Sequence, residues 1–302
     1  MTKHIISHLD ENTPYINEER IATLKARIEK DFDRETASNL IQQLNDLNEF
    51  ELGQFLIQHE GLNGHWTHEV VTWDVNHPTR DLKNTLEKCL FEKLPATLAT
   101  RQRFHIFQQA LEPLLEKNTV FASIPSGYMS ELLLLNPEKL KNTQLIGIDL
   151  DSNALKGALT LAEEKGIADN LQLIHEDAWN IQLQEEIDVI TSNGLNIYEH
   201  DNDRVIQLYQ KFYNALKTGG TLITSFLTPP PTLSPRSPWK MEKIDLASLQ
   251  LQKVIFIDIL QAKWSAYRSV ELTTKQLETV GFKEIELIYD DAYLFPTVIA
   301  KK

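Results

Sequence analysis

Residues 119–226 carry the pattern that decides the fold. Five short apolar runs occur there: 120-VFASIPSGYM-129, 144-QLIGID-149, 171-LQLIHED-177, 187-IDVITSNGL-195 and 216-LKTGGTLI-223. Helical patterns separate them, and this alternation predicts βαβ units that build a parallel sheet. Ligands of such sheets bind at the carboxyl ends of the strands. The polar residues that follow the first four runs are therefore the first candidates for a site: Ser126, Asp149, Asp177 and Asn193.

The order of these residues resembles a known family. Asp149 ends the second run and Asp177 ends the third. The sequence 192-SNGL-195 ends the fourth run, and 216-LKTGG-220 precedes the apolar part of the fifth. This ordered set is similar to that of class I S-adenosylmethionine-dependent methyltransferases, over roughly residues 118–302. The resemblance implies a doubly wound, seven-stranded, mostly parallel α/β sheet, whose last strand is antiparallel between the fifth and sixth. It also implies S-adenosylmethionine as cofactor.

The region before the sheet has a helical pattern. Leu40, Leu44 and Leu47 lie on one face of a helix at a spacing of four and three residues. Pro113 interrupts a later helical pattern, so that helix should bend or shorten there. With 302 residues, two domains or one extended domain are expected. We predict an N-terminal helical cap over 1–117 and a Rossmann-like methyltransferase domain over 118–302.

Composition limits the partners and the compartment. The formal net charge is −13 and the densest cationic patch is the short run 101-RQR-103, so a nucleic-acid substrate is not expected. No apolar run approaches the ~20 residues that cross a membrane, and the N-terminus has no apolar signal-peptide core. The single cysteine, Cys89, fits a reducing cytoplasm. We predict a cytoplasmic protein without a membrane partner; a homodimer through the helical region is left open.

The turn after the first run departs most from the family. The family usually has an acid there, followed by three spaced glycines, whereas this chain keeps only Gly127 and has Ala122 or Ser123 at the acid's place. Either the turn cradles the cofactor with backbone N–H groups, or it is a plain tight turn before a helix. Under the first interpretation the cofactor-binding residues are Ser123, Pro125, Ser126 and Gly127, and Tyr128 contacts cofactor or substrate. The missing glycines weaken a dinucleotide-binding interpretation.

The next two strand ends would bind the nucleoside. Asp149, with Leu150 beside it, can accept hydrogen bonds from both ribose hydroxyls, which methyltransferases and nicotinamide enzymes share. Asp151 is better explained as a helix N-cap. By resemblance, Asp177 and Ala178 meet the adenine, and Trp179 either lies against the adenine or packs in the core.

The fourth strand end would carry the acceptor side. The resemblance places Ser192, Asn193 and Gly194 under the methyl group, with Asn196 toward the substrate. Tyr198 and His200 are the candidate catalytic bases, since an unperturbed histidine titrates near neutral pH. The alternative for His200 is a solvated residue before the next helix.

Two tryptophans outside these strand ends could reach a substrate. Trp66 lies in a connector rich in histidine and acids whose spacing matches no metal motif, so we predict no metal. Trp239 ends the Pro-rich segment 228-TPPPTLSPRSPW-239, which would form a lid or wall, a ligand for a proline-binding domain or an uninvolved surface loop.

Together these features predict methyl transfer from S-adenosylmethionine to an oxygen or nitrogen of a small-molecule acceptor. A nicotinamide-dependent oxidoreductase and a non-catalytic S-adenosylmethionine-binding protein remain as alternatives.

Overall fold

A computed structural model of the protein describes residues 18–116 and 118–302. In these ranges the helices are α1 (Glu18–Asp31), α2 (Arg34–Leu47), α3 (Glu51–His59), α4 (Gly64–Thr72), α5 (Thr85–Glu92), α6 (Pro95–Leu111), α7 (Ser130–Leu133), α8 (Pro137–Leu140), α9 (Ser152–Glu164), α10 (Asn202–Ala215), α11 (Leu246–Lys253) and α12 (Val270–Val280). The strands are β1 (Val120–Ser123), β2 (Gln144–Asp149), β3 (Leu171–His175), β4 (Ile187–Ser192), β5 (Leu216–Ser225), β6 (Lys283–Ile288) and β7 (Thr297–Lys301).

The described chain forms two compact units. The sheet unit contains residues 102–240 and 265–302, and the helical unit contains residues 18–101 and 241–264. The division falls inside α6 and not at the predicted 117/118. Segment 241–264 also joins the helical unit, because Ile255, Ile259 and Leu260 of its apolar run are buried in that unit's core. As a boundary between separately folding domains, the 1–117 and 118–302 division stays a prediction.

The seven strands form one sheet in the order β3-β2-β1-β4-β5-β7-β6. The first five strands pair in parallel, and β7 runs antiparallel between β5 and β6. The predicted fold class is therefore confirmed. Strand order reverses at β1 and β4, which start the two halves of the sheet, and the carboxyl ends of these strands are the expected place for a ligand.

Side chains alternate between two buried faces of the sheet. Ala122, Ile190 and Leu222 join a core with α10 and α12. Their neighbours Phe121, Val189 and Ile223 point to the opposite face, into a core with residues of α6, α7 and α9. Because both faces of β1, β4 and β5 are buried, these strands are nearly continuous apolar runs, as in most parallel sheets.

Several helix ends lie where the sequence predicts them. Asp151 caps α9 by accepting the backbone N–H of Asn153, and Gly166 follows the end of that helix at a φ of 68°. Helix α6 ends at Leu111, and Pro113 lies in the 3-10 turn that follows. Helix α2 buries Leu40, Leu44 and Leu47 as predicted.

Candidate functional site

The turn after β1 is attached to the end of β2. The backbone N–H of Ser126 donates to the Ile148 carbonyl at 2.9 Å. The N–H of Gly127 donates to Asp149 Oδ2 at 2.7 Å, and Gly127 has a φ of 50°, in the left-handed region that glycine adopts without strain. Pro125 lies between the strand and this turn. The single remaining glycine is therefore the one that the turn requires, although two of the family's usual three are missing.

Asp149 is arranged to accept further hydrogen bonds. Its Oδ1 accepts the Asp151 N–H at 2.9 Å, so each carboxylate oxygen has one backbone donor. A carboxylate has about four acceptor sites, which leaves room for two hydroxyl donors. Burial raises the pKa of Asp149, and the backbone N–H groups of Asp151 and Gly127 act in the opposite direction. The neighbouring Leu150 carbonyl lies 2.8 Å from Nε2 of His175.

A buried glutamate lies between β1 and β4. Glu131 of α7 is 5% exposed, and its Oε1 accepts the hydroxyls of Ser123 at 2.6 Å and Thr191 at 2.8 Å. Ser123 and Thr191 are register partners at the carboxyl ends of the two strands. Burial raises the pKa of Glu131, and the two hydroxyl bonds oppose that shift. The carboxylate that β1 lacks is thus supplied by the following helix.

Sequence reasoning missed Glu131 because it comes eight residues after the strand end. A signal was nevertheless present, since Glu131 is the only charged residue in the apolar stretch 129-MSELLLL-135. A charged residue in such a stretch is rarely buried without partners.

At the end of β3, Trp179 packs against α10. Its indole N–H donates to the Arg204 carbonyl at 2.9 Å, and the Arg204 guanidinium lies 4.7 Å from the ring centroid. Asp177 Oδ1 accepts the Trp179 N–H at 3.0 Å, and Ala178 is buried. Of the two interpretations for Trp179, packing is observed; the adenine contacts of these three residues stay predictions.

The turn after β4 contains unsatisfied amide oxygens. The Ser192 carbonyl accepts the Thr224 hydroxyl at 3.0 Å, and Gly194 has a φ of 88°. Asn196 Nδ2 donates to the Tyr209 hydroxyl at 2.9 Å. The Oδ1 atoms of Asn193 and Asn196 are buried, and neither has a hydrogen-bond partner within the described ranges. Buried polar atoms in native structures are nearly always paired, so these two oxygens at a strand end are candidate contacts for a bound molecule.

Arg268, which sequence reasoning also missed, holds this turn in place. It is buried and donates to the carbonyl oxygens of Asn196 at 2.7 Å, Ala266 at 3.2 Å and Glu199. Glu199 Oε2 in turn pairs with Arg204 Nε at 2.6 Å. Burial lowers the pKa of Arg268. The isolated arginine gives no local pattern, because two of its three carbonyl partners, Asn196 and Glu199, lie about 70 residues earlier.

The two candidate bases have different environments. Tyr198 is half-buried, whereas His200 is exposed and its Nε2 lies 3.3 Å from the Ser265 hydroxyl. The catalytic roles of both residues stay predictions.

The remaining candidates for substrate contact are spread over both units. In the sheet unit, the Tyr128 ring lies directly against Gly157 of α9, and the Trp239 indole donates to the Thr228 hydroxyl at 2.9 Å. In the helical unit, Trp66 is 3% exposed and lies on helix α4, where the sequence had suggested a loop or packed connector. Their roles toward a substrate remain predictions.

Other kinds of site have less support in the described part of the chain. No group of three or more His, Cys, Asp or Glu side chains is placed there to hold a metal ion. Within the same residues, none of the helices combines the length and apolar character needed to span a membrane.

Comparison with known proteins supports one family. Residues 125–267 match the family model described as a methyltransferase domain. A structure from Bordetella parapertussis, described as a possible exported protein, is 44% identical, with 94% of this chain and 95% of that chain covered at a TM-score of 0.89. Magnesium protoporphyrin IX methyltransferase from Synechocystis, with bound S-adenosylhomocysteine, shares the fold at 12% identity, with 79% and 94% covered and a TM-score of 0.52. Comparison with curated proteins found no match.

The residues at the strand ends fit the family's cofactor. Asp149 has acceptor sites left for a ribose, and Asn193 Oδ1 is a buried acceptor without a partner in residues 18–116 and 118–302. Glu131 supplies a carboxylate next to β1. With the strand order and the methyltransferase-domain match, these features lead to one conclusion: residues 125–267 belong to a methyltransferase domain of the class I, S-adenosylmethionine-dependent type.

Proposed function

We propose that the protein transfers the methyl group of S-adenosylmethionine to an oxygen or nitrogen of a small-molecule acceptor. The observation that carries the small-molecule part is the burial of the unpartnered amide oxygens of Asn193 and Asn196. In this proposal a compact acceptor enters the site beside these oxygens and supplies their missing donors, which a large partner could not do at so buried a position. The bases of an intact duplex do not fit such a position without leaving the stack.

The residues have distinct roles in this proposal. Asp149 and Leu150 bind the ribose, and Asp177, Ala178 and Trp179 border the adenine. The turn Ser123–Gly127 and the Glu131 carboxylate face the amino-acid part of the cofactor. Ser192, Asn193 and Gly194 lie beneath the transferred methyl, and the acceptor contacts Asn196, Tyr128 and Trp239.

Alignment is the main catalytic contribution of the chain. The bound sulfonium supplies an already activated methyl group, so the protein has to hold the acceptor in line with it. Such positioning lowers barriers by about 7–11 kcal/mol in favourable cases. The rigid turn at Asn196, fixed by Arg268, supports this role.

A proton must leave when the acceptor is a hydroxyl or a protonated amine. Tyr198 or His200 would take it, directly or through water, and a positioned base contributes roughly 10²–10⁴-fold. Tyr198 is the better placed of the two for a desolvated acceptor, because His200 is exposed.

Isothermal titration with S-adenosylmethionine, S-adenosylhomocysteine and NAD⁺ tests the cofactor assignment. We expect the adenosyl compounds to bind and NAD⁺ not to. Asp149→Ala should abolish binding, whereas Asp151→Ala, two residues away, should cost only the ~1 kcal/mol of a helix cap. Absence of binding by both adenosyl compounds would refute the proposal, and NAD⁺ binding alone would favour an oxidoreductase. Binding without S-adenosylhomocysteine production in an acceptor screen would favour a non-catalytic binder.

We further propose a cytoplasmic location, supported by the free thiol of Cys89. Cell fractionation with an antibody would test it, and recovery from the extracytoplasmic fraction would contradict it. Whether the protein forms a homodimer can be measured by light scattering of the purified protein.

A further inference from the structure

Arg103 is a buried arginine at the carboxyl ends of β4 and β5. It is 5% exposed, and its Nη1 donates to the Ser225 hydroxyl at 3.3 Å. Its guanidinium lies 4.6 Å from the Phe295 ring centroid. An ideal Cβ on Gly194 would lie 3.8 Å from Nη1, so the guanidinium is next to the turn that carries Asn193.

Most donors of this guanidinium are unused. A guanidinium has five N–H donors, and within the described ranges Arg103 makes only the bond to Ser225, with Nε buried and unpartnered. No carboxylate in the described part of the chain lies within ion-pair distance of it. Arg268, equally buried, directs its donors at backbone carbonyls and the Asn202 side chain. A buried cation with one hydroxyl acceptor and no paired carboxylate is unfavourable, so its retention needs an explanation.

The nearest negative charge is already engaged. Asp290 favours the charged form of Arg103 through space, but its oxygens accept the backbone N–H groups of Ala292, Leu294 and Phe295 at 3.1, 3.1 and 2.7 Å. Burial lowers the pKa of Arg103 to about 10, which leaves it protonated at neutral pH. The site therefore holds one positive charge and free donors.

We propose that Arg103 binds a carboxylate of the methyl acceptor. This inference rests on the proposed methyltransferase function and names the class of its substrate. The planar fork of arginine matches the two oxygens of a carboxylate. A dianionic phosphate fits less well, because Arg103 supplies only one positive charge and the other charge near it, on Asp290, is negative.

The position in the sheet favours the acceptor over the cofactor's own carboxylate. Asp149, the ribose residue, is on β2, while Ser225 is on β5, with β1 and β4 between them. Strands lie about 4.8 Å apart, so Arg103 contacts the sheet roughly 14 Å across from the ribose strand. Gly194 and Asn193 lie between the two positions.

The guanidinium is also held in place. Gln102 and Asp291 exchange two hydrogen bonds of 2.8 Å, which tie this turn of α6 to the loop between β6 and β7. Phe295, in the same loop, covers one face of the guanidinium. A donor fork fixed from two sides loses little freedom when a carboxylate binds.

The carboxylate is the anchor and not the methylated group, because N–H donors on its oxygens reduce their nucleophilicity. A second oxygen or nitrogen of the acceptor forms the new bond to the methyl carbon. The carbon–sulfur bond breaks with its electron pair remaining on sulfur, and the acceptor's proton leaves to a base or to water.

The test uses Arg103→Met, Arg103→Lys and, as a charge-matched control, the exposed Arg34→Met. Protein saturated with S-adenosylhomocysteine is titrated with acetate, benzoate and phenylacetate, and with their neutral amides. We expect at least one carboxylate to bind tenfold or more tightly than its amide. Arg103→Met should remove that preference, Arg103→Lys should retain part of it, and Arg34→Met should leave it unchanged.

Several results would overturn the inference. One is that no carboxylate binds, or that binding is unchanged in Arg103→Met. Another is that Arg103→Met loses S-adenosylhomocysteine affinity tenfold but binds 5′-methylthioadenosine, which lacks the amino-acid carboxylate, as tightly as the wild type. Arg103 would then bind the carboxylate of the cofactor. A third is that phenyl phosphate binds more tightly than every carboxylate. If wild-type protein binds no S-adenosylhomocysteine, the proposed function itself fails, which is a separate outcome.

Discussion

Arg268→Met should destabilise the sheet unit strongly, because it removes the donors that organise the turn after β4. Arg268 is buried and bonds to three backbone carbonyls, those of Asn196, Ala266 and Glu199. The Asn196 carbonyl also accepts the Glu199 N–H at 3.3 Å. The carbonyls of Ala266 and Glu199 have no other donor within the described ranges, so the substitution leaves both unsatisfied.

The size of the effect follows from these two carbonyls. Each buried polar group left unpaired costs about 1–3 kcal/mol. Methionine retains much of the apolar stem, and removing a desolvated charge recovers part of the loss. We expect a net decrease of about 2–4 kcal/mol in the free energy of unfolding. At roughly 2–4 °C per kcal/mol for a unit of this size, the melting temperature should fall by about 4–16 °C.

Thermal and urea unfolding, followed by circular dichroism, would measure this loss. The control is Arg236→Met, which removes an exposed charge from the same unit and should change stability by less than about 0.5 kcal/mol. Arg103→Met is the informative comparison, since it deletes an equally buried arginine with few internal partners and should not destabilise the protein. A loss below about 1 kcal/mol for Arg268→Met would refute the reasoning. An equal loss for Arg103→Met would show that Arg103 is structural, and would also overturn its proposed role.

Three further predictions concern residues around the same strand ends. Burial raises the pKa of Glu131 from its usual 4.5, so the folded state holds the proton more tightly and stability should fall as pH rises above that value. Glu131→Gln should remove this part of the pH dependence and raise the free energy of unfolding at pH 7, both measured by urea unfolding from pH 4 to 8. An unchanged slope of stability against pH would contradict this prediction. Gly157→Ala should lower the free energy of unfolding by about 1–3 kcal/mol, because the added Cβ would overlap the Tyr128 ring. An unaltered melting curve would show that the ring can move aside. Tyr198→Phe should lower turnover roughly 10²-fold or more with S-adenosylhomocysteine affinity retained, while His200→Ala should have a smaller effect; the reverse order would make His200 the base.

Much of the fold could be read from local sequence. Apolar runs between helical patterns predicted the first five strands, and Asp149 lies at the carboxyl end of β2 as predicted. Asp151, Gly166 and Pro113 act within a few residues of themselves, and such short-range effects are visible in a linear pattern. Segment 241–264 belongs to the helical unit although it comes late in the chain, and the sequence does not show this because an apolar run does not state which core will bury it.

Only part of the candidate site could be predicted from the local sequence. Asp149 and Asn193 follow strands directly and could be placed by counting. Arg103 and Arg268 could not be placed in this way, because burial and unpaired hydrogen-bond donors depend on the folded surroundings and not on the residue type. Arg103 appeared in the sequence only as part of a small cationic patch.

The sequence by itself determined the first five strands and their polar ends, because periodicity and turn chemistry act between near neighbours, while the order of the sheet was implied by the resemblance to a known family. The tertiary structure alone decided which charges are paired. Glu131 accepts hydroxyls from two strands, and Arg268 donates to carbonyls of the turn after β4. Arg103 lies beside the same turn with most of its donors unpaired in the described residues. Desolvation makes this difference matter, since a buried charge must be satisfied by whatever the fold, or a ligand, places against it.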